Sequence, residues 1–243
     1  MPLLVGIHAE HGLEGIVLGA DRQLSIVDEE DNIISKKQAT KIYFNGSWAL
    51  ACYGTEYRET LAFCRALVKA PPEESLKKIM EAIEKGRYID INELNARMTQ
   101  REGISEEDTS TFLLAVKKPK LALYHINQFG VLKGIPQNND FNYICLGSGE
   151  KDAQEYIEKL IRSEEIDRNR ISIPDARKIV RGTIETASSK EPTVGMGFDM
   201  LIITKDKIED IGRKIRRAET SAGRAEETRI DGEYAKNQDE NSN

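Results

Sequence analysis

The chain has 243 residues, 39% of them hydrophobic and 31% charged, with a formal net charge of -6. That length supports one substantial core. The acidic balance argues against a nucleic-acid binder, because there is no basic excess to neutralise phosphates. No uninterrupted apolar run approaches the 18 residues of a membrane span, and no basic segment followed by a long apolar stretch opens the chain, so neither membrane nor secretory signal is expected.

In chain order, residues 3–7 and 14–20 read as a hairpin of aliphatic strands around His8-Ala9-Glu10-His11-Gly12. His8 and His11 are read as ordinary polar residues flanking that turn. Ser25-Ile26-Val27 and Ile33-Ile34 flank the acidic turn 28–32 and suggest a second, smaller hairpin. Strands at 41–45 and 47–53 meet at Asn45-Gly46, a strong hairpin signal.

Helices follow. Leu61, Cys64, Leu67 and Val68 form a 3.6-residue stripe that Pro71-Pro72 ends. A second helix opens at Glu73-Glu74 with Leu76, Ile79, Met80 and Ile83 on one face, and a third is expected near 90–101. Strands return at 111–116, 121–125, 131–132 and 143–146. Gly147-Ser148-Gly149 then opens a helix striped by Ala153, Tyr156, Ile157, Leu160 and Ile161. Ser172 and Asp175, with Pro174 between them, predict a capped start for the next helix, striped by Ala176, Ile179, Val180, Ile184 and Ala187. Strands at 200–204 and 207–211 complete a last hairpin. From 212 to 243 apolar residues nearly vanish, which predicts a frayed helix and then a disordered, charged tail.

Strands and helices come in segregated runs rather than strict alternation. That order predicts an α+β fold: two antiparallel sheets face to face, each covered by a layer of helices, over residues 1–211, with the tail at 212–243. Cys52, Cys64 and Cys145 are far apart and each sits in an apolar run, which suits buried thiols in a reducing cytoplasm. Neither they nor the three histidines have the spacing of a metal site, so no metal and no cofactor is expected.

Several stretches carry chemistry in a specific order: Gly15-Ile16-Val17-Leu18-Gly19-Ala20-Asp21-Arg22, Lys41-Ile42, Leu50-Ala51-Cys52-Tyr53-Gly54, Tyr143-Ile144-Cys145-Leu146-Gly147-Ser148-Gly149, and Phe198-Asp199-Met200-Leu201-Ile202-Ile203-Thr204-Lys205. In that order and spacing the chain resembles a proteasome-family subunit, β-type or bacterial, in the N-terminal nucleophile hydrolase superfamily. The resemblance spans roughly residues 2–211. It implies a four-layer αββα sandwich and assembly into a ring or cage, of copies of this chain or of related subunits, acting on polypeptides.

Active members use an N-terminal threonine hydroxyl as nucleophile, because a hydroxyl needs a proton acceptor within hydrogen-bond reach before it attacks a carbonyl. The resemblance places Asp21 on the family's aspartate, Lys41 on its lysine, Ser148 on its serine and Glu191 on its later acid. Two positions depart: Val194 stands where a serine is expected, and Pro2 stands where the threonine is expected. Two readings follow. In one, the chain is a ring subunit without threonine-peptidase activity, and Asp21 and Lys41 persist as a buried ion pair. In the other, it is a hydrolase or acyl-transfer enzyme that uses a processed N-terminus at Pro2, whose amine beside Lys41 would act as base or nucleophile.

Overall fold

In the computed structural model, the residues described are 3–27, 33–53, 64, 68–69, 74, 111–118, 120–126, 132–135, 143–163, 166–167 and 170–213. Pro2, the acidic turn 28–32, nearly all of the three helices expected between 54 and 101, and the tail beyond 213 lie outside them. The elements among the described residues are β1 (Leu3–Ala9), β2 (Gly15–Asp21), β3 (Gln23–Val27), β4 (Ile33–Gln38), β5 (Ile42–Phe44), β6 (Trp48–Tyr53), β7 (Thr111–Val116), β8 (Ala122–Ile126), β9 (Leu132–Ile135), β10 (Tyr143–Gly147), α1 (Glu150–Arg162), α2 (Ile173–Lys190), β11 (Phe198–Thr204) and β12 (Ile208–Asp210).

Among the described residues the strands form two five-stranded antiparallel sheets and a two-stranded ribbon. One sheet has the order β10-β1-β2-β11-β12, the other β5-β6-β7-β8-β9, and β3 pairs with β4. Alternating side chains on β1 and β2 explain why every residue of both strands is buried. Leu3, Val5, Ile7 and Val17 point to the helices, where they meet Ala153, Ile157 and Leu160 of α1 and Ala176, Ile179, Val180, Ile184 and Ala187 of α2. Leu4, Ile16, Leu18 and Ala20 point the other way, onto Ile42, Ala49, Ala51, Leu113 and Ala115 of the second sheet. The far face of that second sheet carries Trp48, Leu50, Cys52, Phe112 and Leu114, packed with Cys64. Cys64, Val68 and Lys69 are helical. The mixed fold with antiparallel sheets is thus as expected, and helices, sheet and sheet follow one another in layers.

Both helices start where their sequences direct. Ser172 and Asp175 form a reciprocal capping box at the head of α2: the Asp175 amide donates to Ser172 Oγ, and the Ser172 amide donates to Asp175 Oδ2 at 3.1 Å. Helix α1 starts behind Gly149, two residues beyond Gly147, whose φ of 116° is a left-handed value that favours glycine.

Four boundaries differ from expectation. The β5–β6 turn centres on Gly46-Ser47 rather than Asn45-Gly46, because Asn45 Oδ1 accepts the Ser47 amide at 3.0 Å and its own amide donates to the Trp48 carbonyl. The ribbon strands β3 and β4 are longer than the short apolar runs that announced them. The first strand runs through His8 to Ala9, so His8 is a buried strand residue whose ring approaches Glu10 and Glu14. The final strand stops at Asp210, whose carboxylate takes the Arg213 amide at 2.7 Å and starts a helical turn at Ile211. The three cysteines are buried free thiols, as their apolar settings predicted.

Gly19 of β2 lies under α2, where an added Cβ would collide with Val180 Cγ1 and press on Ile184 Cδ1 at 3.2 Å. Gly19→Ala is therefore expected to destabilise the protein by about 2 kcal/mol through overpacking. Adding Val180→Ala should recover part of that loss, a non-additivity measurable by urea denaturation of the single and double variants.

Candidate active site

The site is built around the last residue of β2. Asp21 is fully buried, and both of its carboxylate oxygens are engaged. Oδ1 accepts the Leu3 amide at 2.8 Å and the Lys41 ammonium at 2.9 Å. Oδ2 accepts the Gln23 amide at 2.9 Å and the Gly195 amide at 3.0 Å. Four donors on two oxygens give a buried carboxylate the compensation that burial demands. The four come from β1, β3, the residue that leads into β5, and the loop between α2 and β11.

Lys41 is positioned by the second sheet. It precedes β5, its carbonyl accepts the Cys52 amide of β6 at 2.9 Å, and its side chain reaches across to the first sheet. Besides Asp21 it donates to the Gln23 carbonyl. Burial holds its ammonium below the ordinary lysine value of 10.5, and the nearby Asp21 charge and hydrogen bond oppose that fall. Asp199, buried on β11 and paired with Arg22 at 3.5 Å, adds a smaller opposing field.

A second group lies across the loop that follows α2. Ser148, in the turn between β10 and α1, has its Oγ 2.7 Å from Thr193 Oγ1. Thr193 Oγ1 donates to Glu191 Oε1 at 2.8 Å, and the Thr193 amide donates to the same oxygen at 3.1 Å. The two groups share a scaffold. Gly195, which donates to Asp21, is two residues beyond Thr193, and Gln23 and Lys36 both donate from the ribbon to the Pro192 carbonyl, at 2.8 and 2.9 Å. Register links them again: Leu3, whose amide holds Asp21, pairs with Gly147, the neighbour of Ser148.

The structure therefore joins Asp21 directly to Lys41, and Ser148 to Glu191 through Thr193. Pro2, the neighbour of Leu3 in sequence, lies outside the described residues. Val194 is a buried packing residue, with its side chain close to the space an added Cβ at Gly149 would take. Sequence reading missed Thr193, Gly195, Gln23 and Asp199. Thr193 had one available signal, a hydroxyl two residues after an acid just past a helix end. The backbone donors had none, since an amide carries no residue identity. Among the described residues no group of three or more His, Cys, Asp or Glu side chains is arranged to hold a metal ion, and no helix is long and apolar enough to cross a membrane.

Asp21→Asn should cost about 3–5 kcal/mol, because the amide offers one acceptor oxygen to four donors and strands the Lys41 charge. Lys41→Met should cost less, since three backbone amides still hold the carboxylate. Equilibrium denaturation of both variants and of the double variant tests that order. The pH dependence has a defined sign. Between the lowered Lys41 value and 10.5 the folded state binds fewer protons than the unfolded one, so wild-type stability should rise with pH relative to Lys41→Met across that window.

No family profile matches the chain, and no curated protein matches it in sequence. Among solved structures it is similar to eukaryotic HslV from Trypanosoma brucei, at 15% identity and a TM-score of 0.55, over 83% of this chain and 99% of that one. At this identity the likeness is one of fold. A proteasome-like fold, expected from the order of the strand motifs, is the fold this chain has.

Proposed function

We propose that residues 1–211 form a proteasome-like αββα subunit that assembles into a ring or cage with copies of itself or with related subunits, and that 212–243 is its charged tail. We further propose that the chain lacks threonine-peptidase activity. The observation that carries this is the junction of Pro2 with Leu3. The Leu3 amide is bonded to Asp21, which in turn holds Lys41, yet the residue next to Leu3 has no hydroxyl for that pair to serve. The resemblance places the nucleophile at Pro2, so the pair is retained for structure: removing either partner would leave the other charged and buried. Free buried cysteines favour a reducing compartment, the cytoplasm.

A second reading has one observation in its favour. Burial lowers the Lys41 ammonium, and an amine so tuned is a better proton acceptor near neutrality than an ordinary lysine. With a processed N-terminus at Pro2, this would be a hydrolase or acyl-transfer site acting on polypeptides through the proline amine, Lys41 and Asp21, with Ser148 and Glu191 beside them.

Light scattering on the full chain should give a mass several times the 27.4 kDa of one subunit. A monomer at micromolar concentration would remove the ring reading. Peptide hydrolysis should be absent, and a threonine-directed epoxyketone should leave the intact mass unchanged. Epoxyketone-sensitive hydrolysis would overturn the inactive reading, and Met1 still attached in the intact mass would exclude the proline-amine alternative.

A further inference from the structure

The geometry points to Ser148 as a nucleophile in its own right, activated through Thr193 by Glu191, for acyl transfer from a carboxylic ester to water. This goes beyond the function proposed above: it assigns an activity that needs neither Pro2 nor Lys41.

Three observations converge. The first is proton direction. Thr193 Oγ1 has one proton, which it donates to Glu191 Oε1 at 2.8 Å. Its contact with Ser148 Oγ at 2.7 Å therefore has Ser148 as donor. The chain runs one way, from the Ser148 hydroxyl through a hydroxyl that both accepts and donates to a carboxylate. The Thr193 amide on the same Glu191 oxygen fixes the acid in place.

The second is the turn. Ser148 lies between two glycines at a strand-to-helix junction, preceded by Gly147 at φ 116° and followed by Gly149 with Ala187 Cβ 2.9 Å from where a Cβ would stand. Ser148 thus stands in a strand-to-helix turn, the setting in which a nucleophile elbow places its serine. Ser148, Thr193 and Glu191 are each part-exposed.

The third is the helix behind it. Ser148 directly precedes Gly149, the N-cap of the 13-residue α1, where no side chain caps the helix. The first-turn amides of a helix have no partner within it, and such donors stabilise negative charge that develops beside them.

The step balances. Ser148 Oγ bonds to the ester carbonyl carbon as its proton passes to Thr193 Oγ1 and the Thr193 proton passes to Glu191 Oε1. Collapse breaks the carbon–alkoxide bond, and the departing alcohol oxygen takes a proton back from Glu191 through Thr193. Water then attacks the acyl-Ser148, gives its proton along the same chain, and Ser148 leaves as the alkoxide that the chain reprotonates. The sum is ester plus water to acid plus alcohol. An ester is the fitting class because a carboxylic acid can protonate an alkoxide, whereas an amine leaving group needs protonation before it will depart.

The test is covalent labelling of the full chain with a fluorophosphonate probe, mapped by peptide mass, alongside hydrolysis of p-nitrophenyl acetate. One adduct on Ser148 is expected, and it should disappear in Ser148→Ala. Thr193→Val should slow labelling by about 100-fold. Glu191→Gln can still accept the Thr193 hydrogen bond but cannot take the proton, so it should slow labelling comparably while leaving the thermal midpoint within a few degrees. No adduct on wild type, an adduct elsewhere, or wild-type labelling rates in Glu191→Gln would overturn the assignment. Should Thr193→Val fail to fold, Glu191→Gln decides alone. Labelling is read on whatever assembly state the chain adopts, so its failure leaves the ring reading standing, and a monomer leaves this one standing.

Discussion

One buried carboxylate sets the geometry of this molecule. Asp21 sits at the end of β2 with two donors on each oxygen, and those four donors come from four separate stretches of chain. A buried charge tolerates no vacancy among its partners, so each stretch is held in register by the demands of the other three. The consequence is mechanical. The two sheets touch mainly through apolar side chains, which resist separation but permit sliding. The Asp21–Lys41 bond crosses between them and has a direction and a length. The same carboxylate fixes the loop after α2 through Gly195, and that loop in turn carries Thr193 toward Ser148.

Fold and site were unequally legible in the sequence. The sheet strands announced themselves because β1, β2, β6, β7 and β11 are mostly apolar runs, the pattern of strands covered on both faces. Helix α2 announced itself through Ser172, Pro174 and Asp175. The ribbon was underestimated because Ser25, Lys36, Lys37 and Gln38 are polar, and a strand held by partners at its ends needs no apolar face to persist. The resemblance singled out Pro2, Asp21, Lys41, Ser148 and Glu191; periodicity alone would have singled out none of them. What stayed hidden was the connectivity. Ser148 and Glu191 are joined through Thr193, an ordinary surface type in an ordinary turn. Gly195 contributes an amide, which every residue but proline possesses. Polar networks closed by backbone groups have no sequence signature.

Likeness of fold and likeness of chemistry separate cleanly here. The HslV-like arrangement describes where strands and helices go, and folds of this sort are scaffolds that outlast any one reaction. The ion pair of Asp21 and Lys41 illustrates why. A charged pair once buried is hard to lose, since either single substitution passes through a state with one uncompensated charge. In the site, Ser148, Thr193 and Glu191 are part-exposed, whereas Asp21 and Lys41 are buried.

The buried cysteines add a last consequence. Cys145 belongs to the cluster between helices and first sheet, while Cys52 and Cys64, with sulfurs 3.6 Å apart, belong to the cluster on the far face of the second. Each of these two interfaces carries a native thiol, and the interface between the sheets carries none. Alkylation can occur only when the layer over a given sulfur lifts, so the protein contains its own set of reporters. Which thiol is modified first would disclose which layer breathes first, without a single substitution.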